Sequence, residues 1–244
     1  MVRSFAKKIN MLRYNTYESM SIAAAHFFTT EYEKAVLKND KFVVALSGGN
    51  TPQYLYQLLA SHAYSLHINW KKVFIFFSDE RYVPHNNKES NFKMVWDSLL
   101  KDIPIPVKNV FAIPTSTTPA KDALRYENTV KKTLGRTSPA FDLLLLGIGA
   151  DGHTASLFPG SVLLKEKKRL VKEVFIAEKN IYRISFTLPL INQAKQILIL
   201  VSGKEKAPVL KKVFSKAVVK NKLPVQMVKG NVLWMIDTSP QPSP

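Results

Sequence analysis

The chain has 244 residues, 35 of them Lys or Arg against 18 Asp or Glu, for a formal charge of +17, and it contains no cysteine. That length can bury a full core in one large domain. The absence of cysteine excludes a disulfide framework, a thiolate metal site and a cysteine nucleophile, and fits a reducing compartment.

Lys7, Lys8, Asn10 and Arg13 interrupt the N-terminal segment before any signal-peptide core forms, and no apolar run reaches membrane-spanning length. A soluble cytoplasmic protein with no membrane partner is expected. The positive charge asks for an anionic partner or a solvated surface. Between residues 165 and 229, 16 Lys and Arg stand against four Glu, interleaved with apolar residues rather than gathered in a block. Helix surfaces carry that pattern, and without a nucleic-acid motif no nucleic-acid partner is expected.

Along the chain, Met20, Ile22, Ala24, Phe27, Phe28 and Val36 recur at helical spacing and predict a helix over Tyr17–Leu37, with Thr16 and Ser19 as caps. Lys41–Leu46 reads as a strand, and Thr51-Pro52 opens a second helix through Ala60, since proline is tolerated in a first turn. A strand at Val73–Phe77, a helix at Asn91–Leu100, a short strand at Asn109–Ile113 and a helix at Ala120–Leu134 follow. The apolar run Phe141–Leu146, four leucines with one charge, is a strand covered on both faces. Strands at Leu170–Ala177, Arg183–Leu188, Gln196–Val201 and Val232–Ile236 and a helix at Glu205–Val219 complete the pattern, and the proline-rich tail Ser239–Pro244 is expected to fray. This alternation predicts an α/β fold, a doubly wound, mainly parallel sheet with helices on both faces.

Three segments stand where chemistry collects, at the carboxyl ends of strands. Ser47-Gly48-Gly49-Asn50-Thr51-Pro52 joins a strand to a helix N-terminus, where free amides and the helix dipole favour an anion such as phosphate. It lacks the Lys-Ser/Thr ending of a Walker loop, and a tight turn capped by Thr51 explains it equally well. Asp79, Glu80 and Arg81 emerge together from the apolar strand VFIFF. An arginine held by carboxylates is a rigid, permanently charged fork for phosphate or a developing oxyanion; a capping ion pair is the plainer alternative. Gly147, Gly149 and Gly152 match a dinucleotide fingerprint, but Pro159 closes off the long helix that fingerprint requires. His153 follows them directly. A satisfied core histidine is the usual reading of such a residue, and its position past a strand end favours a functional one.

Taken together, LSGGNTP at 46–52, SDERYVP at 78–84 with Ser90-Asn91, GIGADGHTASLFPG at 147–160 and YRISFTLPLIN at 182–192 resemble the 6-phosphogluconolactonase family, in that family's order and over nearly the whole chain. The resemblance implies a fold shared with glucosamine-6-phosphate deaminases and hydrolysis of 6-phospho-D-glucono-1,5-lactone to 6-phosphogluconate in the oxidative pentose phosphate pathway. It places the family histidine on His153, its Asp-Glu-Arg arginine on Arg81, and its phosphate loop on Ser47, Gly48, Gly49 and Thr51. Arg183 and Lys206 become phosphate or substrate anchors, and Asp79 and Asp151 take orienting roles.

The related deaminase needs an acid a few positions after the shared histidine, and Phe158 stands there instead. The alternatives are that deaminase activity or a non-catalytic sugar-phosphate-binding protein. No cofactor or metal is expected, because the histidine and carboxylates lack ligand spacing. The expected partner is the small-molecule lactone, bound by a monomer or weak homodimer.

Overall fold

The computed structural model describes residues 10–135, 137–215 and 222–238. In chain order the elements are β1 (Asn10–Tyr14), α1 (Tyr17–Asn39), β2 (Phe42–Leu46), α2 (Gln53–Ala60), α3 (His62–Ser65), β3 (Val73–Phe77), β4 (Asp79–Arg81), α4 (Asn91–Ser98), β5 (Val110–Phe111), α5 (Pro119–Leu134) and β6 (Leu143–Leu146). They continue with β7 (Val171–Ile176), β8 (Ile181–Phe186), α6 (Leu188–Ile191), β9 (Ile197–Ser202), α7 (Ala207–Val213) and β10 (Val232–Asp237). No helix among the described residues is long and apolar enough to cross a membrane.

Among the described residues, seven strands form one sheet in the order β1-β10-β9-β6-β2-β3-β5, with every neighbouring pair parallel. The apolar sequences FVVAL in β2 and LLLL in β6, and ILILVS in β9, apolar up to its last residue Ser202, are buried at every position, as strands covered on both faces must be. Aromatic side chains show the two coverings. Phe76 and Phe77 point to opposite faces of β3. Phe76 meets Tyr126 of α5 with ring centroids 6.0 Å apart, and Phe77 meets Phe92 of α4 at 5.6 Å. Phe42 of β2 lies edge-on to Phe28 of α1 at 5.3 Å. The sheet is therefore doubly wound, as the strand and helix alternation predicts.

The one charge in the apolar run, Asp142, is buried just before β6. Its carboxylate accepts from the Val43 amide at 2.8 Å and from Lys195 Nζ at 2.6 Å, so it joins the start of β6 to β2 without interrupting the buried leucines.

Three features depart from the sequence expectations. β1 is not signalled by its sequence NMLRY, whose pattern is mostly exposed. It gains its conformation by pairing with β10 along the edge of the sheet. Secondly, β7 and β8 do not join the parallel sheet. They form an antiparallel sheet with β4 in the order β4-β8-β7, so the Asp-Glu-Arg segment is a strand rather than a loop. That sheet rests on α5, where Phe186 stacks on Tyr126 at 6.0 Å, and on the strand run, where Phe186 lies 5.2 Å from Phe141.

Thirdly, helix ends shift. α2 begins at Gln53 with Pro52 at its N-cap and no side-chain cap from Thr51, and α4 gives way after Ser98 to a 3-10 turn. α7 begins at Ala207; residues 216–219 of the expected helix lie outside the described residues, as does the tail Ser239–Pro244.

The chain runs outward from β2 through β3 to β5, then returns to β6 and builds the other half through β9 and β10. The switch point lies between adjacent β2 and β6, where Val44 and Ala45 face Leu143 and Leu144. Loops leaving the carboxyl ends of two such strands diverge, and the crevice between them is where open α/β sheets bind ligands. Ser47–Thr51 and Gly147–His153 are those loops.

Behind the crevice, Tyr82 follows β4 and donates to Asp122 Oδ2 of α5 at 2.8 Å. The same carboxylate accepts from the Ser116 and Thr117 amides at 2.8 and 2.9 Å and from Arg125 at 3.0 Å. Burial pushes the Asp122 carboxyl up, but these donors outweigh it and hold it down at about 2. Burial, and then Asp122, push the Tyr82 phenol up to about 12.

Two outcomes follow from this packing. Leu145→Ala removes a fully buried side chain from the central strand and should cost about 2–5 kcal/mol in urea unfolding. Asp122 binds its proton less tightly folded than unfolded, so its contribution is complete above the ordinary Asp value of about 3.9 and is lost as pH falls through about 2. Unfolding followed over that range should show the stability gap between wild type and Asp122→Asn closing on acidification.

Candidate active site

A cleft of about 400 Å³ opens at the switch point. Of the residues singled out in the sequence, Ser47, Gly48, Gly49, Thr51, Asp79, Arg81, His153, Arg183 and Lys206 line it. Asp151 does not. It stands behind His153 as that residue's partner.

The glycine loop is tied down from below. Tyr56 of α2 donates to the Ser47 carbonyl at 2.8 Å, and Tyr17 of α1 donates to the Asn50 carbonyl at 3.0 Å while accepting from the Tyr54 amide at 3.2 Å. A Cβ on Gly48 would stand 1.9 Å from Asn91 Oδ1, so only glycine lets α4 seat its first residue against the loop. The loop precedes a helix N-terminus, as an anion cradle does.

Arg81 and Arg183 face each other as register partners of β4 and β8. Arg183 is 6% exposed, with Nη1 3.8 Å from Asp79 Oδ2. Burial pulls the Arg183 guanidinium down from its ordinary value and Asp79 opposes the shift; a guanidinium stays charged at neutral pH regardless. Asp79 also accepts from Ser156 Oγ at 2.6 Å, which fixes the carboxylate that fixes the arginine. Arg81 Nη1 donates to the Glu89 carbonyl at 2.5 Å.

Glu80, between them in sequence, points away from the cleft. It is 1% exposed and accepts from the Arg81, Asn91 and Phe92 amides at 2.8, 2.7 and 2.8 Å and from Ser90 Oγ at 2.9 Å. Burial raises its carboxyl and those four donors restrain the rise. Glu80 thus caps α4 and closes the loop 82–90 whose Glu89 carbonyl holds Arg81.

His153 stands on the loop after β6. Asp151 Oδ1 lies 2.6 Å from its Nδ1 and accepts from its amide at 3.1 Å. Burial pushes the Asp151 carboxyl up, but His153 outweighs it and holds it below the usual range. An ionised carboxylate can only accept, so Nδ1 carries the proton. Nε2 has no hydrogen-bond partner among the described residues, and in the neutral ring it is then the nitrogen that bears the lone pair.

A Cβ on Gly149 would lie 2.1 Å from the imidazole, so glycine at that position lets the ring fold back over the loop. No helix follows Gly147–Gly152, which removes the dinucleotide reading. Phe158 stacks on the ring at 4.3 Å and 29°, and Arg183 Cζ lies over the same phenyl group, 5.5 Å from its centroid.

Sequence reasoning missed Asn91, Thr154, Lys179, Ser202 and Glu205, which also line the cleft. Ser202, at the carboxyl end of β9, had a signal in its position. Lys179 had none, because it arrives from the turn of a hairpin whose sheet was not foreseen. Four polar atoms on residues that line the cleft, Arg81 Nε, Asn91 Oδ1, Thr154 Oγ1 and Arg183 Nε, are buried without protein partners. No cluster of three or more His, Asp or Glu suited to a metal occurs among the described residues.

Residues 15–234 match the family model described as Glucosamine-6-phosphate isomerases/6-phosphogluconolactonase. The chain is 38% identical over 216 residues to the 6-phosphogluconolactonase of Synechocystis sp., covering 86% of this chain and 87% of that protein. The crystal structure of 6-phosphogluconolactonase from Thermotoga maritima superposes with a TM-score of 0.82 at 29% identity, covering 94% of this chain and 100% of that one. The three-dimensional structure of the Trypanosoma brucei 6-phosphogluconolactonase gives 0.80 at 29% identity over 94% and 96%. With its strand order, its switch-point cleft and a match running through nearly all of its length, the chain belongs to the glucosamine-6-phosphate isomerase/6-phosphogluconolactonase family.

Proposed function

We propose that the protein is a 6-phosphogluconolactonase, hydrolysing 6-phospho-D-glucono-1,5-lactone to 6-phosphogluconate by a water that His153 activates. The observation that carries the mechanism is the Asp151–His153 pair at 2.6 Å, which keeps Nδ1 protonated and Nε2 basic at the cleft. Nε2 takes a proton from water as the oxygen attacks the lactone carbonyl. The carbonyl electrons move to oxygen, and Arg81 offers its guanidinium to that oxyanion. Collapse expels the ring oxygen, which receives the proton from the imidazolium, leaving the open-chain acid. Ser47, Gly48, Gly49 and Thr51 hold the phosphate, with Lys206 and Arg183 supplying charge and Asp79 orienting Arg183.

Phe158 supports lactone hydrolysis over amino-sugar isomerisation. A phenyl group stacked on the imidazole offers no carboxylate for a ring-opening proton transfer, whereas lactone hydrolysis needs only a base, a water and an oxyanion partner. A cytoplasmic location, supported by the cysteine-free composition, and a monomer or weak homodimer belong to the same reading.

The test is the rate of 6-phosphogluconolactone hydrolysis, with the lactone generated in situ and the uncatalysed rate subtracted. His153→Ala should lower kcat by about 10²–10⁴-fold and Arg81→Ala by about 10²–10³-fold, while Arg183→Ala should chiefly raise KM. A folded His153→Ala protein with near-normal turnover would remove the base assignment. Ammonia release from glucosamine 6-phosphate without lactone hydrolysis would replace the reaction itself.

A further inference from the structure

The smaller sheet delivers one more cation to the cleft. Lys179 ends the 3-10 turn Ala177–Lys179 between β7 and β8, where Asn180 takes the left-handed conformation at φ 46° and reverses the chain into β8. The turn is closed by the Asn180 amide bonding to the Ala177 carbonyl at 3.1 Å. It brings Lys179 to the same cleft as Arg183, which lies further along β8.

The cleft's cations differ in what already compensates them. Arg183 has Asp79 at 3.8 Å, and Arg81 donates to the Glu89 carbonyl at 2.5 Å. Lys179 has neither an ion pair nor a hydrogen-bond acceptor for its ammonium group among the described residues. Lys206, which enters beside α7 from the parallel sheet, is in the same condition. A lysine ammonium is a compact charge on a flexible stem with three donors and no acceptor. Two such groups entering from different sheets, neither of them compensated by a protein carboxylate, leave their donors free for the oxygens of an anionic ligand such as a phosphate.

We propose that Lys179 is a phosphate-binding residue, so that the phosphate of the ligand is held from both sheets, by Lys206 on the parallel one and Lys179 on the antiparallel hairpin. The assignment rests on the sugar-phosphate reading above and adds to it a residue from outside the glycine loop. The β7–β8 hairpin then serves binding as well as structure, because its turn carries part of the charge that selects a phosphorylated sugar acid.

Calorimetric titration with 6-phosphogluconate tests this directly, using wild type, Lys179→Gln, Lys179→Arg and the surface control Lys167→Ala. Lys179→Gln should weaken binding about tenfold, the low end for a charge-assisted hydrogen bond, and should flatten the dependence of Kd on salt. Lys179→Arg should recover most of the affinity, a rescue that a purely structural role for the turn would not produce. Affinity within twofold of wild type in Lys179→Gln, or an equal loss in Lys167→Ala, would overturn the assignment. Wild type that hydrolyses the lactone while Lys179→Gln binds normally overturns this inference alone. Wild type that neither hydrolyses the lactone nor binds 6-phosphogluconate overturns it together with the reading on which it rests.

Discussion

The site depends on the parallel pairing of β2 with β6. Two parallel neighbours need crossovers to reach each other, and here the chain visits β3 and β5 on one side before it returns. Their carboxyl ends therefore open onto one edge while the following segments part company, one into α2 and one into the irregular loop that bears His153. The crevice is a consequence of connectivity, and the leucines of β6 and the apolar residues of β2 hold its floor rigid by being buried on both faces.

On that floor the charged groups are organised by burial. Asp79 and Arg183 are both almost wholly enclosed, and each offsets part of the cost of enclosing the other. Glu80 is enclosed as well, yet no cation among the described residues forms an ion pair with it; four donors bond it, and three of them are backbone amides. A carboxylate in that setting closes the loop 82–90 and caps α4. The three consecutive charges thus divide into a residue that orients an arginine, a clamp that faces away from the cleft, and an arginine that faces into it.

Phe158 joins the two halves of the cleft. Its ring touches the imidazole that comes from the parallel sheet and lies under the guanidinium that comes from the antiparallel one. A cation over a phenyl face is attracted to it, so Arg183 has a second reason, besides Asp79, to hold its place. The same ring packs against the face of the histidine with a group that can neither accept nor donate a proton.

The sequence by itself determined the doubly wound class, the order of its strong strands and the loops at which chemistry collects. Those features rest on local physics: buried parallel strands read as apolar runs, and glycines mark the turns that follow them. Only the tertiary structure decided the rest. β1 is a strand because β10 offers it an edge, and its own side chains say little. The short β4 is a strand because β8 pairs with it, with Arg81 opposite Arg183 across 102 positions of chain. Glu80 and Arg81 are sequence neighbours with opposite directions, which strand alternation sets and no composition reveals. Lys179 reaches the cleft for the same reason: a hairpin turn has no local signal for what its tip will face, and that is settled when the small sheet docks on α5 through Phe186 and Tyr126.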